Sequence, residues 1–266
     1  MTLGGKMKEK KFEWRTAISK VEPDKIVIRG YLLDEIIGKK SFGEVVYLLW
    51  KGDFPTKEEG EMMNALLVSG CDHSLAAPSA NATRFVSSSG VPLQASVASG
   101  IIALGKYHGG SIEGCARIIQ EGVKESKKQN ITLAQIAEEI VKRYHLQKKR
   151  ILGYGHPYHK SDPRTIKLLK LAKDLKIYGR HCRLASEIEQ SIEKTLNKKI
   201  ILNVDGAIAA IMSDMDFPYK YGKGFYIVSR AAGLVAHAIE QEEREKPFKA
   251  VPLDQIIYDG PEERSL

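Results

Sequence analysis

Apolar and polar residues alternate along this chain at helical spacing, so that almost the whole of it reads as helix. Two short extended segments, around 17–19 and 26–29, flank a turn-like VEPDK near the start and predict a small strand pair. Helix starts follow. Ser41 with Glu44 forms a capping box before VVYLLW, Thr56 with Glu59 another before MMNALLV, and Thr132 with Gln135 a third before a helix reaching Tyr144 with Ile136 and Ile140 on one face. Pro92 suits the first turn of a helix running through QASVASGIIALGKY, whose Ala, Ser and Gly content predicts close packing against neighbouring backbone on several sides. Further helices are predicted over 163–176, 181–197, 204–214 and 223–243. No βαβ alternation and no short repeat appears, and the predicted class is mainly α.

With 266 residues, 43% of them hydrophobic, the chain can bury a substantial core as one large domain or two lobes. No apolar run approaches a membrane span, and the first residues lack the apolar stretch of a secretory signal. Cys71, Cys115 and Cys182 are scattered and odd in number, which fits a reducing, cytoplasmic setting rather than a disulfide framework or a zinc site. The formal charge of +8 comes with basic clusters at 6–11, 148–150 and 246–249. A nucleic-acid binder would carry a basic stripe with interleaved aromatics, which is not seen. A small anionic ligand, a phosphorylated cofactor or a polycarboxylate, fits the modest excess better. The tail from 246 on carries proline and charge and reads as an irregular arm, lying over the body or reaching a neighbouring subunit.

Four segments carry chemistry. GYGHPYHKSDPRT (153–165) interrupts the helical pattern with two glycines around an aromatic, then presents His156 at a constrained turn. Asp162 and Pro163 start a helix there, which puts Arg164 at the positive end of the dipole, an unfavourable place unless it serves an anion. Arginine plus unpaired helix N–H groups makes a cradle for carboxylate or phosphate. The plainer alternative is a capping loop with a surface histidine. YHGGS (107–111) ends the small-residue helix with a stop that lets backbone approach a ligand, and His108 there either donates to a developing oxyanion or merely complements the helix dipole. NVDGA (203–207) places Asp205 at a helix start among apolar neighbours, as an N-cap or as a desolvated carboxylate with base character. His73 in CDHS precedes SANATRFVSSSG, and Arg230 opens the small-residue run AAGLVAH, facing inward to a carboxylate or outward to solvent. His237 on that run reads as a satisfied core histidine, and His145, His159 and His181 read as surface residues.

Taken in order, these segments resemble the citrate synthase superfamily. GYGHPYHKSDPRT resembles its Gly-x-Gly-His…Asp-Pro-Arg motif, YHGGSIE its His-Gly-Gly motif and ILNVDGAIAAIM its Asn-Val-Asp motif. NATRFVSSSG, RAAGLVAHAIEQ and the stretch from RGYLLDEIIGKK to FPTKEE fit flanking segments, so that the likeness covers about residues 16–260. The overall pattern, LLVSGCDHS included, is closer to the citryl-CoA lyase module at the carboxyl end of ATP-citrate lyase.

The resemblance implies the citrate synthase fold, with a large helical lobe (1–111 and 216–266), a small one (112–215) and a homodimer or higher oligomer. It implies coenzyme A as thioester substrate and product, and no metal. His108 would handle the thioester oxygen and its enolate, His156 the oxaloacetate carbonyl or the tertiary hydroxyl, and Asp205 the proton on carbon. His73, Arg164 and Arg230 would bind carboxylates. The implied reaction is cleavage of citryl-CoA to acetyl-CoA and oxaloacetate, with a separate citryl-CoA synthetase as a possible supplier. A compact citrate or 2-methylcitrate synthase, or a non-catalytic subunit that binds coenzyme A or a polycarboxylate, are the alternatives. Two departures accompany it. Pro157, Tyr158 and His159 follow the histidine where synthases show Arg-Val-Tyr, and the tail offers only Arg244, Lys246 and Pro247 for the synthases' Arg-Pro.

Overall fold

A computed structural model describes residues 13–157 and 159–266, so the basic cluster at 6–11 and Tyr158 lie outside the described residues. The described chain falls into two compact units, one ending at Asn64 and one running from Ala65 to Leu266.

The first unit opens with a three-stranded antiparallel sheet rather than a strand pair: β1 (Ser19–Glu22), β2 (Lys25–Ile28) and β3 (Tyr31–Leu32). The predicted turn VEPDK is narrower than expected, because Val21 and Glu22 pair with Ile26 and Lys25 and leave only Pro23 and Asp24 to reverse the chain. Asp24 takes the left-handed backbone (φ 58°) that this tight reversal needs. A single helical turn, α1 (Leu33–Ile36), leads to α2 (Phe42–Lys51) and α3 (Lys57–Gly70). The capping boxes predicted at Ser41 and Thr56 both form. The Glu44 carboxylate accepts from the Ser41 N–H at 2.9 Å, and Glu59 accepts from the Thr56 N–H at 2.9 Å. The Arg29 guanidinium donates to the carbonyls of Ala17 and Leu49 and so ties the sheet to α2.

In the second unit a 3-10 turn (Ser74–Ala76) is followed by α4 (Pro78–Ser87), α5 (Leu93–Ile102), α6 (Ser111–Gln129) and α7 (Leu133–Leu146). Then come α8 (Pro163–Asp174), α9 (Arg180–Leu196), α10 (Val204–Asp214) and α11 (Gly222–Arg244). Helices α4, α5 and α11 pack on one another, while α6, α7, α8, α9 and α10 form a second group around α10. From Gly206 to Ser213 every residue of α10 is buried, as expected of a helix that is apolar all round. The close packing predicted for the small-residue helix occurs: a Cβ on Gly100 of α5 would stand 2.9 Å from the Ser79 carbonyl oxygen of α4 and 2.8 Å from Leu234 of α11.

Some boundaries differ from the sequence reading. Pro92 is the N-cap of α5 and not its first helical residue, and α5 stops at Ile102 instead of running to Tyr107. His108 therefore lies on a separate reversal, held by the Gly105 N–H donating to the His108 carbonyl at 2.8 Å and the return bond at 3.2 Å. Helices α4 and α6 were not among those predicted, although α6 is 19 residues long. Beyond α11 the tail has only the 3-10 turn Leu253–Gln255 and is exposed, with its start anchored where the N–H groups of Phe248 and Lys249 donate to Ser88.

Candidate active site

Two short extended segments set the geometry. Residues 153–155 run antiparallel to 201–203: the Gly155 N–H donates to the Ile201 carbonyl at 2.7 Å, the Asn203 N–H to the Gly153 carbonyl at 3.0 Å, and the Asn203 side chain to the Gly155 carbonyl at 2.7 Å. Gly153 is at φ 86°, and a Cβ on it would stand 2.9 Å from the Gly206 Cα. Only backbone fits at this crossing. The chain leaving it carries His156 on one side and Asp205, in the first turn of α10, on the other.

All six residues singled out in the sequence, His73, His108, His156, Arg164, Asp205 and Arg230, line one cavity of about 290 Å³. The first turns of α4, α6, α8 and α10 supply Pro78, Ser111, Arg164 and Val204 to the same walls. Four helix N-termini facing one space favour an anion in it.

Arg230 is 1% exposed. Its Nε donates to the Gly70 carbonyl at 3.0 Å and its guanidinium lies 4.9 Å over the Tyr226 ring. Its Nη1 is buried and meets no hydrogen-bond partner among the described residues. A buried, unsatisfied guanidinium nitrogen is costly and calls for an acceptor from outside the chain. Arg164 differs from the sequence reading, which justified a cation at a helix start by a substrate carboxylate alone. It has a built-in partner: Asp162 accepts from its Nε at 3.0 Å and its Nη2 at 2.9 Å, and also from the N–H groups of Arg164 and Val204. Burial pushes the Asp162 carboxyl up, but these donors and the Arg164 charge outweigh it and hold the group below its ordinary value.

The half-buried Asp205 carboxyl receives no hydrogen bond from the described residues. Desolvation pushes its pKa up to about 6, against the opposing charges of Arg164 and Arg230. The N-cap of α10 is Asn203, whose side chain accepts from the Gly206 N–H, so Asp205 is released from the capping role that was its plainer alternative.

His108 is fixed in one tautomer. Its Nε2 lies 2.8 Å from the Ser79 hydroxyl and accepts from the Ser79 backbone N–H at 3.4 Å. An N–H can only donate, so the proton of the neutral ring is on Nδ1. Desolvation, then the charges of Arg230 and His73, lower its pKa and keep it neutral. In the same way His156 Nδ1 accepts from the His159 N–H at 3.1 Å, which places the proton on Nε2, 3.5 Å from His73 Nε2. Burial first, then nearby positive groups, lower the pKa of both His73 and His156.

His159 and His181, read as surface residues, are half-buried. The His159 ring stacks on His156 with centroids 4.3 Å apart. His181 joins a cap in which Asp214 accepts from the N–H groups of Gly179, His181 and Cys182 at the start of α9, and its own Nδ1 lies 2.9 Å from Asp214. His237 pairs with Asp72 at 2.9 Å, and His145 is exposed. The sequence reading missed Tyr226, a buried ring that meets His108 edge-on and whose hydroxyl desolvation pushes up to about 12. Its signal was the spacing of one helical turn before Arg230.

A second, larger cavity of about 890 Å³ shares Gly155 and His156 with the first. Its apolar floor is Val141, Ile192, Leu196 and Ile200, and Lys148, Lys149, Arg150, Lys160 and Lys199 stand around it. Only the basic cluster at 148–150 was visible as such in the sequence.

The family model described as citrate synthase, C-terminal domain, matches residues 12–64 and 55–250. A solved citryl-CoA lyase from Hydrogenobacter thermophilus is similar over 95% of this chain and 97% of its own, with a TM-score of 0.88 and 44% identity. The ATP citrate lyase of Methanothrix soehngenii, solved with citrate and coenzyme A, shares the fold at a TM-score of 0.80 and 22% identity, over 95% of this chain and 42% of its own. A probable ATP-citrate synthase of Dictyostelium discoideum is 26% identical over 255 residues, which are 88% of this chain. The chain spans 39% of that relative's length.

Proposed function

The chain belongs to the citrate synthase family, and we propose that it is a citryl-CoA lyase, cleaving citryl-CoA to acetyl-CoA and oxaloacetate. The observation that carries this reading is the convergence of Asp205, the Nδ1–H tautomer of His108 and the unsatisfied Arg230 guanidinium on one small anion-favouring cavity. The 44% identity over nearly the whole of both chains to a citryl-CoA lyase supports the direction.

Arg230, Arg164 and His73 hold the carboxylates of the citryl group. The tertiary hydroxyl gives its proton to the His73–His156 imidazole pair as the carbon–carbon bond breaks. The bonding electrons pass to the thioester as an enolate, whose oxygen is met by His108 Nδ1–H in a largely dry site. Protonated Asp205 then delivers its proton to the enolate carbon and leaves acetyl-CoA. One proton leaves oxygen and one arrives at carbon, so the cleavage is neutral overall. With a pKa near 6, Asp205 carries a proton often enough to give and gives it readily enough to reuse.

Coenzyme A belongs in the larger cavity, where five cations suit its phosphates and the apolar floor suits an uncharged base. The small lobe, 112–215, carries His156, Arg164 and Asp205, and the large lobe carries His73, His108 and Arg230. The denser packing within α6–α10 and within α4, α5 and α11 supports that division, with α6 and α10 meeting α11 along the seam. A homodimer is part of the same reading, supported by the exposed apolar side chains of the tail, among them Leu253 and Ile257. The setting proposed is the cytoplasm, with citryl-CoA supplied by a separate synthetase. Among the described residues no helix is long and apolar enough to cross a membrane.

The test is to supply citryl-CoA and measure oxaloacetate, acetyl-CoA, citrate and free coenzyme A together. Oxaloacetate with intact acetyl-CoA is the expected result. Citrate with free thiol would establish the synthase-type alternative, in which water reaches the thioester. Binding without turnover would leave the non-catalytic subunit.

A further inference from the structure

Tyr226 of α11 lines the smaller cavity and is 8% exposed, yet catalysis as described above leaves it without a task. Its ring is held by three neighbours. The Arg230 guanidinium lies 4.9 Å over it, and His108 meets it edge-on with centroids 5.7 Å apart. Gly109 takes φ 74° beside it, and a Cβ there would stand 2.9 Å from Tyr226 Cδ1 and 3.0 Å from Cε1. Packing this close fixes the ring and with it the direction of the hydroxyl. The hydroxyl makes no hydrogen bond among the described residues. The strongest charges acting on it are those of Arg230, Asp205 and Arg164, all on the walls of the same cavity. A desolvated phenol with no partner inside the chain calls for an acceptor from outside it.

We infer that the Tyr226 hydroxyl is a catalytic hydrogen-bond donor to the thioester oxygen, completing with His108 Nδ1–H a two-donor hole for the enolate. The inference rests on the lyase reading, and it holds equally for any reaction at this site that passes through the same enolate. Arg230, Arg164 and His73 serve the permanent charge of carboxylates. The enolate oxygen gains its charge only as the carbon–carbon bond breaks. It has one donor so far, and an oxygen accepts two. The carbon that Asp205 protonates is bonded to the carbon bearing this oxygen, so a donor to the oxygen must stand near both His108 and Asp205. Tyr226 does: its ring meets His108, and the Asp205 charge acts on its hydroxyl. Desolvation pushes the phenol up to about 12, so it keeps its proton and remains a donor at neutral pH. No bond forms or breaks at the hydroxyl. It supplies a fixed dipole where charge develops, in a site dry enough for that to count. A donor that acts on the transition state raises kcat, whereas one spent on a carboxylate would raise affinity.

The test is Tyr226→Phe in the full-length protein, which removes the hydroxyl and keeps the ring. Fluorotyrosine placed at the same position serves as a more acidic donor of nearly the same size. The readouts are citryl-CoA cleavage, oxaloacetate affinity by calorimetry, and exchange of the acetyl-CoA methyl protons in deuterium oxide beside malate. Malate has no ketone to condense with, so exchange reports enolate formation alone. Loss of the hydroxyl should lower kcat for cleavage and the exchange rate together by about 10²–10³, as for one oxyanion-hole donor. Oxaloacetate affinity and Tm should not fall, and fluorotyrosine should restore both rates. Unchanged rates in Tyr226→Phe, or rates with fluorotyrosine no higher than with phenylalanine, would overturn the inference. So would weaker oxaloacetate binding with kcat kept, which puts the hydroxyl on a carboxylate. A lowered Tm with loss of all three readouts would make the role structural and overturn it too. A wild type that makes citrate and free thiol, with exchange impaired in Tyr226→Phe, would end the lyase reading and leave the donor standing. A wild type that neither cleaves nor exchanges would overturn both.

Discussion

Asp205 is held by desolvation and by charge in opposite directions, and desolvation wins. Its replacement by asparagine should lower cleavage by about 10²–10⁴ while leaving oxaloacetate binding, read by calorimetry, nearly intact. The pH dependence has a definite sign. Cleavage needs the protonated acid and should fall as pH rises through about 6, whereas the reverse condensation needs the carboxylate and should rise over the same interval. Stability follows the same shift. A carboxyl whose folded pKa is raised contributes fully below its ordinary value and loses that contribution as pH rises through about 6. Asp205→Asn should therefore raise Tm at pH 8, by about 2–4 °C for each kcal/mol of relief, and leave it unchanged at pH 4. Arg230 makes a different prediction. Arg230→Lys keeps the charge but loses the planar fork, so KM for oxaloacetate should rise by about 10–100-fold, as for a lost hydrogen bond to a charged group, with a smaller change in kcat.

At the scale of elements, the crossing of 153–155 with 201–203 and the first turn of α10 decides where His156 and Asp205 meet. Gly153→Ala would bring a Cβ within 2.9 Å of the Gly206 Cα at a φ of 86°. Loss of stability by about 1–3 kcal/mol or more in denaturant titration, together with loss of turnover, is the expected outcome. Asp162 joins α8 to α10 by capping the first, accepting from Val204 at the start of the second, and clamping Arg164. Asp162→Ala leaves that guanidinium and the Val204 N–H without their acceptor and should destabilise by about 3–5 kcal/mol. Because the folded pKa of Asp162 is lowered, its contribution is present at neutral pH and is lost as pH falls below the ordinary carboxyl value. The variant should therefore approach the wild type in stability only in acid.

For the whole molecule, the two adjoining cavities divide the proposed substrate into a polycarboxylate head and a nucleotide-bearing tail. Lys199→Ala with Arg150→Ala should raise KM for the acyl-CoA several-fold at low salt and progressively less as ionic strength rises, since exposed charges are screened over about 8–10 Å near physiological salt. Affinity for free oxaloacetate should not change, because neither residue lines the smaller cavity. Steady-state kinetics at two salt concentrations, with calorimetry for oxaloacetate, separates the two cavities.

The helical class and the capping boxes at Ser41, Thr56 and Thr132 were legible from residue type and local spacing, because capping and amphipathic periodicity act within a few residues. The six side chains that now share a cavity were drawn together only by the resemblance of their motifs, in order, to one family. Other features depend on groups far apart in the chain. The cap of α9 comes from Asp214, more than thirty residues away, so no local signal marks it or lifts His181 out of the surface class. Helix α4, with its polar run of small residues, is held against α5 and α11 by close backbone approach rather than by a periodic apolar stripe. The third strand, two residues long, exists only as a partner for β2. The proton positions on His108 and His156 are set by backbone N–H groups of Ser79 and His159. The sequence by itself determined which chemistry is present. The tertiary structure decided which nitrogen carries each proton, which arginine already has a partner and which carboxyl is desolvated, because each depends on donors and low-dielectric surroundings that long-range packing assembles.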